Sequence, residues 1–307
     1  MKYFMIPLAA LALFLAPHQG WAAGPKVAVT ITPLADIIKR LGGPGTDVFI
    51  IIKPGQSPHG YEPTPGQVTK IASADFLVMA GLGLDNWLLK IAKAAGKDGA
   101  GDIVDCSRSL DHKDLISPGE HGAEEEHVGH GDEIANPHWW LDPTLMAKAA
   151  RTISHRMAEG ATEAQKSGFK QRLEALENDL AALDSKVKDE LKEARGGFVA
   201  FHGAWDYFAR RFGLNQVGVL EESPGKSASA RKFAQLAGRI TKEGGGAVMA
   251  EPQFSGKLAQ ALADEAGVRL GIADPMGGAP GREGYFEMML FNARAFKEAL
   301  GASQGGR

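Results

Sequence analysis

The chain has 307 residues, 44% of them hydrophobic, a formal net charge of −3 at pH 7 and one cysteine. A mildly acidic chain with no basic stripe is not built for nucleic acid. Cys106 alone can form no internal disulfide, so stability has to come from packed cores, and the length suits two domains of ordinary size.

Residues 1–22 read as a secretory signal peptide: Lys2, an apolar run from Phe4 to Ala16, and the small-x-small step Gly20-Trp21-Ala22. The apolar run is too short to cross a bilayer. No cysteine follows it, so no direct membrane anchor is expected, and the mature chain is expected to be a soluble periplasmic monomer. Next, KVAVTIT (26–32), DVFIIIK (47–53), DFLVMAG (75–81) and DIVDCS (102–107) read as strands, separated by helical stretches. PTLMAKAARTISHRMA (143–158) predicts a helix, and a longer one follows from Glu163 to about Ala194. Its apolar positions Phe169, Leu173, Leu176, Leu180, Leu183, Val187 and Leu191 form one stripe. That stripe suits a coiled-coil dimer or a strut between two lobes, and the flanking α/β halves favour the strut. Four more strand–helix alternations follow, at 197–202, 215–220, 246–252 and 268–275. The expected fold is therefore α/β, with two lobes of roughly four parallel strands flanked by helices and joined by a long rigid helix. The boundaries are 23–160 for the first lobe, 161–195 for the linking helix and 196–307 for the second lobe.

Ligands of such sheets bind beyond the carboxyl ends of the strands. His59 in SPHGYEPTP, His138 in NPHWWLDP, His202 in VAFHGAW and Asp274 in GIADPMGG all read as lying at such ends. Each alone suits a hydrogen-bonding turn residue. Together they form an N₃O set suited to a borderline metal such as zinc. Residues 111–136 carry His112, His121, His127 and His130 among eight acidic residues. This tract cannot bury a core, and it reads either as a solvated acidic loop or as a set of auxiliary weak metal sites.

SPHGYEPTP, NPHWWLDP, VAFHGAWDYFARRFGL, AEPQFS and ADPMGG, in this order, resemble the ZnuA-type (cluster A-I) periplasmic zinc/manganese substrate-binding proteins of bacterial ABC transporters. The resemblance covers essentially the whole mature chain. It implies a non-enzymatic protein that holds Zn(II) between its lobes through His59, His138, His202 and Asp274. The metal would then be delivered to the inner-membrane permease of a zinc importer. The His-rich tract resembles the loop of the zinc members. Relatives that bind manganese have a carboxylate where His202 stands, which favours zinc here. HGYEPTP also resembles the manganese version, which leaves Glu62 open as an extra oxygen donor or a loop residue. Glu222 and Glu251 are expected to orient ligand imidazoles, and Trp139, Trp140 and Trp205 to wall the site from water. The competing readings are an exported zinc hydrolase and an acidic metal buffer or adhesin. A ligating imidazole must be neutral, so affinity is expected to fall below about pH 6.

Overall fold

The computed structural model describes residues 24–99, 101–117, 135–221, 228–242 and 246–301. The segment read as a signal peptide, His121, His127, His130 and Glu222 lie outside the described residues. Among the described residues, no helix is long and apolar enough to cross a membrane.

The first sheet holds β1 (Lys26–Val29), β2 (Asp47–Ile50), β3 (Phe76–Met79) and β4 (Ile103–Asp105), in the order β2-β1-β3-β4. The second holds β5 (Gly197–His202), β6 (Asn215–Glu221), β7 (Gly246–Ala250) and β8 (Arg269–Ile272), in the order β6-β5-β7-β8. Every pairing is parallel. β3 and β5 are buried along their whole length. Helices covering both faces demand this, and it is why these strands read as continuous apolar runs. In the first lobe the crossovers are α1 (Thr32–Gly42), α2 (Pro65–Ser73) and α3 (Trp87–Ala94). The chain then passes through α4 (Pro143–Glu159) and α5 (Glu163–Leu191) to the second lobe, with α6 (Asp206–Phe212), α7 (Ala230–Lys242), α8 (Lys257–Ala266) and α9 (Tyr285–Leu300).

α5 has 29 residues and starts in a capping box. Gln165 donates its backbone N–H to the Thr162 hydroxyl, and the Gln165 side chain accepts from the Thr162 backbone N–H. At about 1.5 Å per residue it spans roughly 44 Å. Its buried side is the predicted stripe, except that Leu173 is only half-buried and Asp184 is buried. Arg211 donates twice to Asp184, at 2.7 and 2.8 Å, and Lys188 donates once, at 2.6 Å. That keeps a carboxylate tolerable in an apolar stripe.

The two sheets share one core. A single apolar cluster joins Val29 and Ile38 of the first lobe to Leu180 of α5 and to Phe198 and Phe296 of the second. Smaller clusters fill the outer face of each lobe. Cys106 is buried in the shared core, in the manner of a small apolar residue. Near the cleft the lobes touch closely. A Cβ on Gly278, at φ +84°, would stand 2.6 Å from Cγ of Pro54 across the seam, so only glycine fits.

Each strand order reverses direction beside its first strand, and this switch point is where open α/β sheets bind ligands. In the second lobe it lies between β5 and β7. His202 ends β5 and Glu251 directly follows β7. The first lobe closes its own switch point with Asp85. Its buried carboxylate accepts from Thr30 Oγ1 (2.7 Å), Ala80 N (2.7 Å) and Gly81 N (2.9 Å). The first lobe therefore supplies its histidines from loops. His59 lies between β2 and α2, and His138 lies between β4 and α4, before the 3₁₀ turn Trp139–Leu141. Only His202 stands at the end of a strand, with Asp274 two residues beyond β8.

Candidate metal centre

Pro58 is buried and Gly60 adopts φ +67°, a conformation that glycine takes at no steric cost. Between them, His59 is aimed into the seam. His59 Nε2 lies 3.2 Å from His138 Nε2, and His202 Nε2 lies 3.3 Å from the same atom. The three ring centroids are 5.0 to 5.5 Å apart. Their ligand atoms all lie within 4.8 Å of one another, which makes them the one such group among the described residues.

The ring tautomers follow from the partners. Asn136 Oδ1 accepts the backbone N–H of His138 at 3.0 Å, so that atom is the amide oxygen. His138 Nδ1 lies 2.8 Å from the same oxygen and has to donate to it. The neutral ring then carries its lone pair on Nε2. His202 Nδ1 lies 2.6 Å from Glu251 Oε1, and donation to that carboxylate again leaves the lone pair on Nε2. With both rings neutral, two lone pairs face each other at 3.3 Å with no hydrogen between them, which a shared cation would relieve.

Burial favours the neutral, ligating form. His59 is lowered from 6.5 to about 3, chiefly by burial and next by the positive charge of a protonated His202. His138 is pushed well below the usual histidine range by burial, then by His202 and His59. The three rings line a cavity of about 10 Å³ together with Glu251, Gln253 and Phe254. That is room for one water-sized body. Glu251 Oε2 and Gln253 Oε1 are buried with no hydrogen-bond partner. Unpartnered acceptors on residues that line the cavity beside the three rings suit a cation.

The remaining sequence candidates fall as follows. Asp274 is buried but stands outside the three-histidine group. Its Oδ1 accepts from Gln253 Nε2 (2.7 Å), Met276 N (3.0 Å) and Gly277 N (3.1 Å). Its Oδ2 accepts from Arg282 Nε at 2.6 Å. Glu62 is exposed on its loop, and His112 is exposed in a short 3₁₀ turn; neither belongs to the group. Glu251 Oε1 faces His202 Nδ1 at 2.6 Å. Trp205 Nε1 donates to Glu251 Oε1 at 3.4 Å and so stands behind it. Trp139 donates to Ala80 O in the first lobe, away from the rings. Trp140 is the tryptophan beside His138, with centroids 5.2 Å apart, and it donates to Pro275 O across the seam. Sequence reasoning missed Asn136, Gln253, Phe254 and Arg282. Asn136 carried a signal: an Asn two residues before His138 can accept that residue's backbone N–H in an Asx turn.

The chain is similar to known proteins in sequence and in fold. The zinc-binding lipoprotein AdcA of Streptococcus pneumoniae is 29% identical over 97% of this chain. The chain spans 61% of that relative's length. The high-affinity zinc uptake system protein ZnuA of Yersinia pestis is 28% identical over 90% of both chains. A crystal structure of a ZnuA deletion mutant with zinc bound superposes with a TM-score of 0.77 at 27% identity, covering 91% of this chain and 99% of that one. The periplasmic zinc-binding protein TroA of Treponema pallidum shares the fold, with a TM-score of 0.77 at 23% identity. The family described as the periplasmic component A of the zinc-uptake complex matches residues 27–299, and this chain belongs to it.

Proposed function

We propose that the chain is a periplasmic protein that captures one Zn(II) between its lobes and delivers it to the inner-membrane permease of an ABC importer. The observation that carries this reading is the pair of lone-pair-bearing nitrogens on His138 and His202, closed by His59 in an ion-sized cavity. Three imidazole donors favour zinc over manganese, because the softer nitrogen set suits the borderline metal. Glu62 is exposed and stands outside the three-histidine group, which supports zinc over the manganese alternative. His59, His138 and His202 are the proposed nitrogen ligands and Asp274 the fourth. Asp274 would exchange Arg282 for the metal.

A three-histidine site also suits hydrolytic zinc. A cavity of about 10 Å³ among the three rings suits a single ion better than a substrate, which supports sequestration over catalysis. Export through residues 1–22 and a monomeric state complete the proposal, with His112, His121, His127 and His130 as auxiliary metal collectors. Competition titration of the mature protein with zinc and manganese tests it. Submicromolar zinc binding, weaker manganese binding and loss of zinc in His59→Ala are expected. Wild-type zinc affinity in His59→Ala would overturn the ligand assignment.

A further inference from the structure

Behind His138 runs a line of buried polar groups that supplies no donor to the metal centre itself. Asn136, Asp206 and Gln216 are each 4 to 5% exposed. The Asn136 amide is fully used. Its oxygen receives the backbone N–H and the ring Nδ1 of His138. Its two N–H hydrogens meet two acceptors, Gly203 O at 2.6 Å and Asp206 Oδ2 at 2.8 Å. Asp206 Oδ1 in turn accepts from Gln216 Nε2 at 2.6 Å. The Asn136 backbone is tied as well, with its N–H on Ile116 O at 2.7 Å and its carbonyl accepting from Tyr207 OH at 2.9 Å.

The placement of these partners gives the amide a particular task. His138 belongs to the first lobe. Gly203 directly follows His202, the ligand of the second lobe. One small side chain therefore grips the ring of one proposed ligand and the turn that carries another. A flipped amide would set donor against donor at His138 and acceptor against acceptor at Gly203 and Asp206, so only one orientation is open to it. That orientation dictates which nitrogen of His138 is free, and at what distance from His202.

We propose that Asn136 is the positioning residue of the metal centre, fixing the tautomer of His138 and its register against His202 before metal arrives. This rests on the reading of His138 as a ligand. Outer hydrogen-bond partners of ligating histidines are typically worth ten- to a hundredfold in metal affinity. A merely structural Asn136 would change stability and leave the ring tautomer alone.

The test is a long-range ¹H–¹⁵N correlation spectrum of histidine-labelled, metal-free protein, joined to zinc competition titrations. The wild-type His138 is expected to carry its proton on Nδ1. Asn136→Ala is expected to lose that single tautomer and to bind zinc ten- to a hundredfold more weakly. A wild-type His138 protonated on Nε2 would overturn the proposal without recourse to any variant, which settles the matter even if Asn136→Ala folds poorly. So would a folded Asn136→Ala with wild-type affinity while His138→Ala loses zinc, a result that leaves the ligand set standing. Wild-type affinity in His138→Ala would instead overturn the ligand reading and this inference with it.

Discussion

At the scale of single residues, Asp274 poses the sharpest question, because its carboxylate is already engaged. Arg282 holds one oxygen at 2.6 Å, and Gln253 and two backbone N–H groups hold the other. If Asp274 ligates zinc, the metal has to displace the guanidinium. Arg282→Ala should then raise zinc affinity by roughly tenfold, equivalent to ~1.4 kcal/mol, while Asp274→Ala lowers it. Isothermal titration of both variants checks this, and an unchanged affinity in both would restrict Asp274 to bracing its turn. The buried titrating groups make a second prediction. Between about pH 3 and 6.5 the unfolded chain protonates His59 while the folded one does not, so stability is lost as pH falls through that window. His138 acts in the same direction. Asp85 opposes them. Burial raises it from 3.8 to about 6, so the folded state holds the extra proton and gains stability on acidification through that range. Two rings outweigh one carboxyl, and the metal-free protein should lose stability between pH 6.5 and 5. Denaturant unfolding at several pH values should show a shallower loss in His59→Gln; an equal slope would contradict the shift. The same burial revises the expected pH dependence of zinc affinity. A threshold near pH 6 assumed ordinary imidazoles, and burial of His59 and His138 moves proton competition at those two rings lower. The histidines were legible because an imidazole in a Pro/Gly turn has no packing reason to be there. Arg282 was not, because an arginine in a glycine-rich turn looks like any solvated residue.

At the scale of elements, the alternation of apolar runs and amphipathic stretches was enough to place the strands and helices, because buried parallel strands and one-sided helices leave different periods. The strand ends were harder. The run VFIIIK reads as one strand, yet β2 stops at Ile50. Ile51 and Ile52 are fully buried and still donate to Val29 O and Thr30 O while the chain turns toward the His59 loop. Burial, not pairing, keeps the run apolar, so hydropathy overshoots the ladder. α5 likewise ends at Leu191 rather than near Ala194, because polar residues after Leu191 give no periodic mark of where the last turn closes. Its interior is well marked. Leu180 is 1% exposed within the core shared by both lobes. Leu180→Ala should cost about 2–5 kcal/mol, whereas Thr162→Ala, which removes the cap, should cost about 1. Thermal or urea unfolding of the two variants compares them, and equal losses would argue that α5 is held by its own propensity rather than by the core.

At the scale of the whole molecule, the cleft is the feature that the linear sequence hides most. Nothing in the spacing of residues 59, 138 and 202 says that two loops and one strand end meet within hydrogen-bond distance. That follows from how the lobes dock, and docking depends on shape across the seam. The contacts there are specific: Trp140 donates to Pro275 O at 2.8 Å, Tyr285 OH donates to Trp140 O at 2.7 Å, and the Tyr285 backbone N–H donates to Asp36 at 3.0 Å. Each joins the first lobe to the second. Beneath them the core runs unbroken from Val29 through α5 to Phe296. Opening the cleft by a hinge would tear that core and expose apolar surface at about 25 cal/mol per Å². It would also strip partners from Trp140 and Tyr285. Independent lobes on a flexible linker pay neither cost. Metal exchange should therefore proceed by loop movement around His59 and the Asp274 turn, with the lobes nearly fixed. Small-angle scattering of the mature protein with and without zinc is expected to give superimposable radii of gyration. Amide hydrogen exchange is expected to slow on zinc addition mainly in residues 53–64 and 274–284. A large change in radius, or protection spread evenly over both lobes, would instead establish closure of the whole cleft.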